Sequence, residues 1–266
     1  MKAMIFAAGL GTRLKPLTDT LPKALVPVCG KPLIEHVSRK LLASGINEAV
    51  VNIHYFADKV EEWVAAQPWI VGEDCSPGEG EFSVQISDER ELLLETGGAV
   101  LHARRYLEGC GQFLIHNVDI LSNCDIKWFE SQVKEDALAT LLVSERKTTR
   151  FLLFAPDTMR LAGWMNTDTG DYSVISPEIV PTECRALAFS GIHILSDKVL
   201  ALMDEYVKEK GLPVDEVKGT RFPIMSFYMW AAKKSPIYGV VADNLEFIDV
   251  GKLDALKPAE EFVMRG

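Results

Sequence analysis

The stretch MKAMIFAAGLGTRLKPLTDTLPK, residues 1–23, decides the fold of this chain. Lys2–Ala8 is an apolar run of strand length, and Gly9 and Gly11 follow it directly. In open α/β sheets ligands bind beyond the carboxyl ends of the strands, where glycines let backbone amides approach a phosphate closely. The sequence therefore predicts a buried first strand followed by an anion-binding loop.

The next hundred residues alternate apolar runs of strand length with amphipathic stretches of helix length. This alternation is typical of a Rossmann-like α/β fold, with a mixed, mainly parallel sheet flanked by helices. The predicted strands are Glu48–Ile53, Ser83–Ser87 and Gln112–His116, and the predicted helices are Pro32–Ser44, Phe56–Ala66 and a helix from the cap Thr96 to Arg104. The stretch between Gly72 and Glu81 is expected to be an exposed acidic loop.

After the strand Leu138–Ser144 the pattern changes to shorter strand-like pieces with turn signals between them, which predicts a small antiparallel extension. Its predicted strands are Phe151–Phe154, Met159–Gly163, Ser173–Ile175 and Ala186–Ile194. The chain then returns to helices at 196–206 and 223–232, strands at 237–241 and 246–249, and a closing helix. We predict one domain over residues 1–266, with an N-terminal region at residues 1–145 and a C-terminal region at residues 146–266.

Charge and cysteine content narrow the possible partners. The net charge of −10 argues against general affinity for nucleic acid or anionic membranes. Five scattered cysteines without a CxxC pair, and no apolar run long enough for a membrane span, predict a cytoplasmic chain with reduced thiols. One stretch departs from this acidic character: it contains four basic residues and a single acidic one, Asp19. The basic residues are Arg13, Lys15, Lys23 and Lys31. This stretch suits a small phosphorylated ligand, and we expect a monomer or small homo-oligomer.

Two common phosphate loops do not fit the glycine-rich turn. A dinucleotide fingerprint needs a third glycine where Leu14 stands, and Pro16 disfavours a helix starting there. Around Gly30 and Lys31, an NTPase loop would need glycine in place of Leu25. A long basic loop remains, with glycines that permit close approach and with Arg13 and Lys23 as fixed positive charges.

Residues 9–23 resemble the signature G-x-G-T-R-(L/M)-x-P-L-T-x-x-x-P-K of the sugar-1-phosphate nucleotidyltransferases. Three further segments resemble family motifs in the same order: GKPL at 30–33, NVD at 117–119 and FIDVG at 247–251. Members of this family join a nucleoside triphosphate to a sugar 1-phosphate and release pyrophosphate. The resemblance implies that activity and a GT-A-like nucleotidyltransferase fold, with the nucleotide held mainly by the N-terminal region and the sugar phosphate by the C-terminal region.

The resemblance assigns roles to the charged residues. Arg13 would bind the β- and γ-phosphates, because its planar guanidinium matches phosphate oxygens. Lys23 would hold the sugar phosphate and stabilise charge around the α-phosphorus. Asp119 and Asp249 would together hold Mg²⁺, which suits a sparse oxygen site. Each of these four side chains would otherwise be an ordinary loop or surface charge.

The remaining assignments concern the nucleotide and the sugar. The resemblance places Leu10, Gly11, Thr12, Glu95, Gly98 and Asn117 at the nucleotide, and Ser190 and Gly191 at the sugar phosphate. Asn166, in the antiparallel extension, could hydrogen-bond sugar hydroxyls. Alternatives from the residues alone are helix capping for Glu95, a bulge at Gly191 and a turn at Asn166. Lys252 stands where the family usually has threonine, and it would either tune substrate choice or start the last helix.

The choice of substrate stays open in the sequence. The LETGG segment at 94–98 and the lack of a left-handed repeat domain resemble bacterial N-acetylmuramate-1-phosphate uridylyltransferases, which act in cell-wall synthesis. Guanylyltransferases for mannose 1-phosphate or heptose 1-phosphate carry nearly the same motifs. An inactive sugar-nucleotide sensor and a phosphocholine cytidylyltransferase-like enzyme are further alternatives; the sensor is disfavoured because all four charged residues are present.

Overall fold

The structure is a computed structural model that describes residues 1–72 and 75–265. Within these ranges the chain forms a large mixed sheet with helices on both faces. The strands are β1 (Lys2–Phe6), β2 (Pro27–Val28), β3 (Lys31–Pro32), β4 (Glu48–Ile53), β5 (Ile70–Val71), β6 (Phe82–Asp88), β7 (Gln112–Asn117), β8 (Ile120–Ser122), β9 (Ala139–Ser144), β10 (Arg150–Phe154), β11 (Leu161–Asn166), β12 (Tyr172–Val174), β13 (Arg185–Ser196), β14 (Ile237–Val241) and β15 (Phe247–Asp249). The helices are α1 (Leu33–Ala43), α2 (Ala57–Ala65), α3 (Glu95–His102), α4 (Arg104–Leu107), α5 (Ile126–Ser131), α6 (Val199–Lys210), α7 (Ile224–Ala231) and α8 (Leu256–Arg265).

β1 lies in the middle of the sheet, parallel to β4 on one side and to β7 on the other. The parallel part continues from β4 through β6 to β5. β13 runs antiparallel to β7 and to β9, and it leads through β10 and β11 to the antiparallel edge strand β12. The mixed, mainly parallel sheet with an antiparallel extension is thus confirmed.

Alternating residues of β1 belong to two hydrophobic cores. Ala3 and Ile5 pack on one face with residues of α1, α2 and α8, and Met4 packs on the other with residues of α3, α6 and α7. All three side chains are fully buried. Because helices cover both faces of the sheet, the sequence of β1 is a continuous apolar run and does not alternate between apolar and polar residues.

Most predicted elements are confirmed, some with shifted ends. The strands at 48–53 and 237–241 have the predicted bounds. α1 begins one residue after Pro32, and Gly45 follows its end with φ +84°. The strand predicted over Met159–Gly163 lies at Leu161–Asn166, because Met159 has φ +58° and donates its amide to the Ala155 carbonyl in a turn.

The prediction that Thr96 caps a helix reaching Arg104 is wrong. α3 starts at Glu95 without a side-chain cap and ends at His102, and α4 follows as a separate turn. The Thr96 hydroxyl accepts a hydrogen bond from the Ile224 amide at 2.9 Å, at the first residue of α7. It therefore stabilises the start of a helix that is distant in sequence.

Two sequence expectations concern exposure and the membrane. In the acidic stretch from Gly72 to Glu81, Glu73 and Asp74 lie outside the described residues, while Gly72 and Cys75 are exposed. No helix in the described ranges is long and apolar enough to cross a bilayer.

Candidate active site

The loop after β1 turns tightly at Gly11. Gly11 has φ +63°, and a Cβ placed there would lie 2.8 Å from the methyl group of Thr18. The Thr18 hydroxyl donates a hydrogen bond to the Gly11 carbonyl at 2.8 Å. Leu10, Thr12 and Arg13 are at least partly exposed around this turn. Both the backbone conformation and the close contact require glycine at position 11, and the resulting loop is open to a ligand.

Lys23 lies directly behind this turn and is largely buried. Its Cβ is 3.2 Å from the position that a Cβ on Gly11 would take. Its Nζ forms an ion pair with Oδ2 of Asp119, and the two side chains are only 11% and 16% exposed. Lys15, in contrast, pairs with Asp19 at 3.1 Å, and both of those side chains are about half-exposed. The structure therefore places Lys23, and not Lys15, beside the predicted metal carboxylate.

Asp119 and Asp249 come together through a small sheet that the sequence did not predict. β15, which ends at Asp249, pairs antiparallel with β8, which starts directly after Asp119. The Val250 amide donates to the Asp119 carbonyl at 2.8 Å. Because β7 lies beside β1, Asp119 emerges at the same edge of the sheet as the glycine loop.

Arg13 reaches the Asp249 end of this small sheet. A Cβ on Gly251 would lie 2.6 Å from Oδ1 of Asp249 and 2.8 Å from Nη2 of Arg13. The carboxylate and the guanidinium thus converge on one glycine, although they lie more than 230 positions apart in the sequence. Four charged side chains assigned from the sequence are therefore gathered around the loop after β1.

The acidic part of the site is sparse. Among residues 1–72 and 75–265, no group of three or more His, Cys, Asp or Glu side chains is arranged to hold a metal ion. Asp119 and Asp249 would supply two carboxylates, so further oxygen ligands would come from substrate or solvent. His116 stands close by at the end of β7, but it is fully buried, and burial lowers its pKa to about 4, so it is a neutral core residue.

The first turn of α3 is held by residues 220–222. Gly97 and Gly98 both donate their amides to the Phe222 carbonyl, at 2.9 and 3.1 Å. A Cβ on Gly98 would lie 2.0 Å from the Thr220 carbonyl oxygen. Close backbone packing therefore explains Gly98 without any ligand.

Glu95 has an unusual conformation and a partner that the sequence did not reveal. Its φ is +61°, which is uncommon for a residue with a side chain. Arg221 donates to Glu95 Oε1 from Nε at 2.9 Å and from Nη2 at 2.8 Å. The Glu95 side chain is one-third exposed, so a ligand can still reach it.

Asn117 and Gly191 meet at the junction of β7 and β13. Gly191 has φ +77° and lies in a register shift of β13, which confirms the bulge. A Cβ on Gly191 would lie 2.7 Å from Nδ2 of Asn117. The missing side chain of Gly191 leaves space for Asn117. A residue predicted to contact the nucleotide therefore touches a residue predicted to contact the sugar phosphate.

Two residues assigned to the sugar have other partners. The Ser190 hydroxyl is buried and donates to the Leu142 carbonyl at 2.7 Å. Asn166 accepts a hydrogen bond from the Asp168 amide on Oδ1, at 3.1 Å, and its carbonyl accepts from the Gly170 amide. The Asn166 side chain therefore stabilises the turn after β11, as the alternative interpretation proposed.

Sequence reasoning missed Arg146, which follows β9. Its Nη2 lies 3.3 Å from the Phe189 carbonyl, and its guanidinium carbon is 4.8 Å from the centre of the Phe247 ring. Burial lowers the pKa of Arg146, and the nearby Asp249 carboxylate opposes this shift. Arg146 lines a cavity of about 580 Å³ together with Arg185 and Phe247. The available signal was a basic residue just past the carboxyl end of a predicted strand.

Lys252 follows the Asp249 segment and is exposed. It directly precedes the short helical turn Leu253–Ala255, and its carbonyl accepts from the Ala255 amide at 3.1 Å. This position agrees with a role at the start of the closing helical segment.

Comparison with known proteins gives a consistent result. A family model described as Nucleotidyl transferase matches residues 2–265. The chain is 37% identical over 204 residues to the N-acetylmuramate alpha-1-phosphate uridylyltransferase of Caulobacter vibrioides, and this alignment covers 75% of the chain and 76% of that protein. It is 32% identical over 134 residues to the mannose-1-phosphate guanylyltransferase catalytic subunit beta of Xenopus tropicalis, where it covers half of the chain and 34% of that protein.

Among solved structures, HddC from Yersinia pseudotuberculosis, complexed with GMP-PN, is similar with a TM-score of 0.69. The match covers 98% of this chain and 99% of HddC at 22% identity. This likeness concerns the fold.

Proposed function

We propose that this chain, which belongs to the nucleotidyl transferase family and is a sugar-1-phosphate nucleotidyltransferase, transfers a uridylyl group from UTP to an N-acetylated amino sugar 1-phosphate. N-acetylmuramate 1-phosphate is the acceptor we favour, which would place the reaction in cell-wall synthesis. The observation that carries this choice is the 37% identity to a uridylyltransferase for N-acetylmuramate 1-phosphate over three quarters of both chains.

In the proposed reaction an oxygen of the sugar phosphate attacks the α-phosphorus of the triphosphate. The bond from the α-phosphorus to the bridging oxygen breaks, and pyrophosphate leaves with that electron pair. Such a transfer needs positioning and charge neutralisation, and it needs no covalent nucleophile from the protein. The gathering of Arg13 and Lys23 around the open loop at Gly11 supports this role.

Arg13 and Lys23 would act on different phosphates. Arg13 is exposed at the loop, so its guanidinium is free to bind the β- and γ-phosphates and stabilise the leaving pyrophosphate. Lys23 is buried beside Asp119 and would hold the reacting phosphates. A buried, paired ammonium keeps its position, which suits a group that must stabilise charge in the transition state.

Mg²⁺ would bind at Asp119 and Asp249. Hard carboxylate oxygens in a two-residue set fit an ion that takes most of its ligands from phosphates and water. The ion pair with Lys23 shows that the Asp119 carboxylate accepts a cation, and Mg²⁺ would compete with that ammonium for the carboxylate. When bound, Mg²⁺ would neutralise phosphate charge and polarise a phosphoryl oxygen.

For the rest of the site we propose contacts of two kinds. Leu10, Gly11 and Thr12 would offer loop backbone to the nucleotide, and Glu95 and Asn117 would contact its base and ribose. Gly98 would act there through backbone, and the same holds for Ser190 and Gly191 at the sugar phosphate, since the Ser190 hydroxyl has a protein partner. Asn166 would contact the sugar only if the turn after β11 opened.

A second candidate is a guanylyltransferase for mannose 1-phosphate or heptose 1-phosphate. The 32% identity to a mannose-1-phosphate guanylyltransferase over half of the chain favours it. Because the motifs around Arg13, Lys23, Asp119 and Asp249 are shared, the two candidates differ in base and sugar and agree in mechanism.

Pyrophosphate release measured with four NTPs and a panel of sugar 1-phosphates, with and without MgCl₂, separates these candidates. We expect turnover with UTP and N-acetylmuramate 1-phosphate that depends on the added metal. Activity confined to GTP would refute the uridylyltransferase proposal in favour of the second candidate. Nucleotide binding without turnover on any pair would instead indicate an inactive sensor.

A further inference from the structure

Glu89 is a buried carboxyl between two segments of the nucleotide site. It directly follows β6 and is 2% exposed. Its Oε1 accepts a hydrogen bond from Nδ2 of Asn52 at 2.8 Å, and its Oε2 accepts from the Leu94 amide at 3.2 Å. Leu94 immediately precedes Glu95, so one carboxylate oxygen fixes the backbone of the segment ahead of α3.

The second partner of Glu89 leads to the phosphate loop. Asn52 lies in β4 and is 4% exposed, and its Oδ1 accepts a hydrogen bond from the Ala7 amide at 2.8 Å. Ala7 is the first residue after β1, where the chain enters the loop around Gly11. Three hydrogen bonds therefore connect the start of that loop with Leu94.

We propose that Glu89 is a positioning residue of the nucleotide site, which fixes the distance between the loop after β1 and the start of α3. The inference rests on the proposed function, in which the loop holds the phosphates and Glu95, at the start of α3, contacts the base. A nucleoside triphosphate must contact both at once, so an error in their spacing weakens nucleotide binding before it affects the reacting groups.

The carboxylate form of Glu89 suits its two partners, because both of its oxygens accept hydrogen bonds from N–H donors. Protonation would turn one accepting oxygen into a hydroxyl group. Burial raises the pKa of Glu89 to about 7; the hydrogen bonds from Asn52 and Leu94 oppose this shift, and the charge of Asp88 adds to it.

Other titratable or charged groups also adjoin Glu89. On β6 and the turn after it, Asp88 pairs with Arg90, whose guanidinium also binds Asp58 and Glu61 on α2. After β4, His54 Nδ1 lies 2.6 Å from the Glu89 carbonyl oxygen.

Glu89→Gln tests the proposal with little change in shape. An amide offers one acceptor and one donor, so either Asn52 or the Leu94 amide loses its partner. We expect the KM for the triphosphate to rise about tenfold, with kcat and the KM for the sugar phosphate within about twofold of wild type. The matched control is Glu91→Gln, which removes an exposed carboxylate two residues away that pairs with Lys218.

A pH series adds a readout that a purely structural effect would not change. Between pH 8 and 6 the wild-type KM for the triphosphate should rise more steeply than that of Glu89→Gln, with a midpoint of the difference near 7. Protonation of the triphosphate itself is common to both proteins, so it cancels in the comparison.

A swapped pair keeps the test valid if the single variant folds poorly. In Asn52→Asp/Glu89→Gln, the new carboxylate at position 52 accepts from the Ala7 amide and from the new amide at position 89. That amide accepts from Leu94 in turn, so every hydrogen bond is restored. We expect the double variant to recover the wild-type KM within about threefold, while Asn52→Asp alone behaves like Glu89→Gln.

An unchanged triphosphate KM in Glu89→Gln, or a double variant worse than both single variants, would overturn this inference while leaving the proposed function intact. Loss of kcat with an unchanged KM would overturn it as well, since it would indicate a role at the reacting groups. If wild-type protein turned over no pair of substrates, the proposed function would fail, and the inference with it.

Discussion

Replacing Gly251 with alanine would displace the two charged side chains that converge on it. The new Cβ would lie 2.6 Å from Oδ1 of Asp249 and 2.8 Å from Nη2 of Arg13, whereas ordinary contact begins near 3.4 Å. The carboxylate must therefore move by about 0.8 Å and the guanidinium by about 0.6 Å. Both atoms are the ends of side chains, so the backbone can stay in place and the free energy of unfolding should change by less than about 1 kcal/mol.

A displacement of this size in a site that works by positioning lowers kcat by about 10- to 100-fold. We expect Gly251→Ala to show this loss in pyrophosphate release, together with a higher MgCl₂ concentration for half-maximal rate. Gly72→Ala is the matched control, because a Cβ there meets nothing within 4 Å. Activity of Gly251→Ala within twofold of wild type, at an unchanged Tm, would show that the positions of Asp249 and Arg13 do not limit the reaction.

Three further predictions follow from single residues. Lys23→Met should lower kcat about 100-fold or more, because it removes the buried cation beside the reacting phosphates, while Lys15→Met, which removes an exposed charge of the same loop, should keep wild-type kcat in the same assay. Arg146 donates to the Phe189 carbonyl beside Ser190 and Gly191, so Arg146→Met should raise the KM for the sugar 1-phosphate about tenfold and leave the KM for the triphosphate within twofold; equal changes in both would contradict a role on the sugar side. Burial lowers the pKa of His193 to about 3 and that of His116 to about 4, so both are neutral in the fold, and stability present above pH 6.5 should be lost as the pH falls through 6.5 towards 4. Urea unfolding should show this decline, and it should be smaller in His193→Gln; an equal decline would argue against His193 as a source.

The local signals in the sequence were sufficient for the elements near the site. Local composition was enough for β1, the turn at Gly11 and the bounds of β4. A strand buried on both faces needs a run of apolar residues, and a left-handed backbone favours glycine, so both features can be recognised in a short segment. The resemblance to a family supplied the proposed roles of Arg13 and Lys23, which no periodicity could give.

Local signals failed where a side chain has a distant partner. Threonine is a common helix-capping residue, yet the Thr96 hydroxyl accepts a hydrogen bond from the Ile224 amide. Ser190 is suited to a sugar hydroxyl, yet its own hydroxyl is used by Leu142. The glycine at position 98 is explained without a nucleotide base, since the Thr220 carbonyl oxygen already occupies the space that a side chain would need.

By itself the sequence determined that this chain has a mixed α/β fold and carries a basic glycine loop after its first strand. Only the tertiary structure decided that Lys23 pairs with Asp119, 96 residues away, that Arg13 meets Asp249 at Gly251, and that Glu89 connects two loops of the site. The physical reason is that strand propensity and turn chemistry act over a few residues, whereas these contacts depend on the order in which β1, β4, β6 and β7 lie in the sheet.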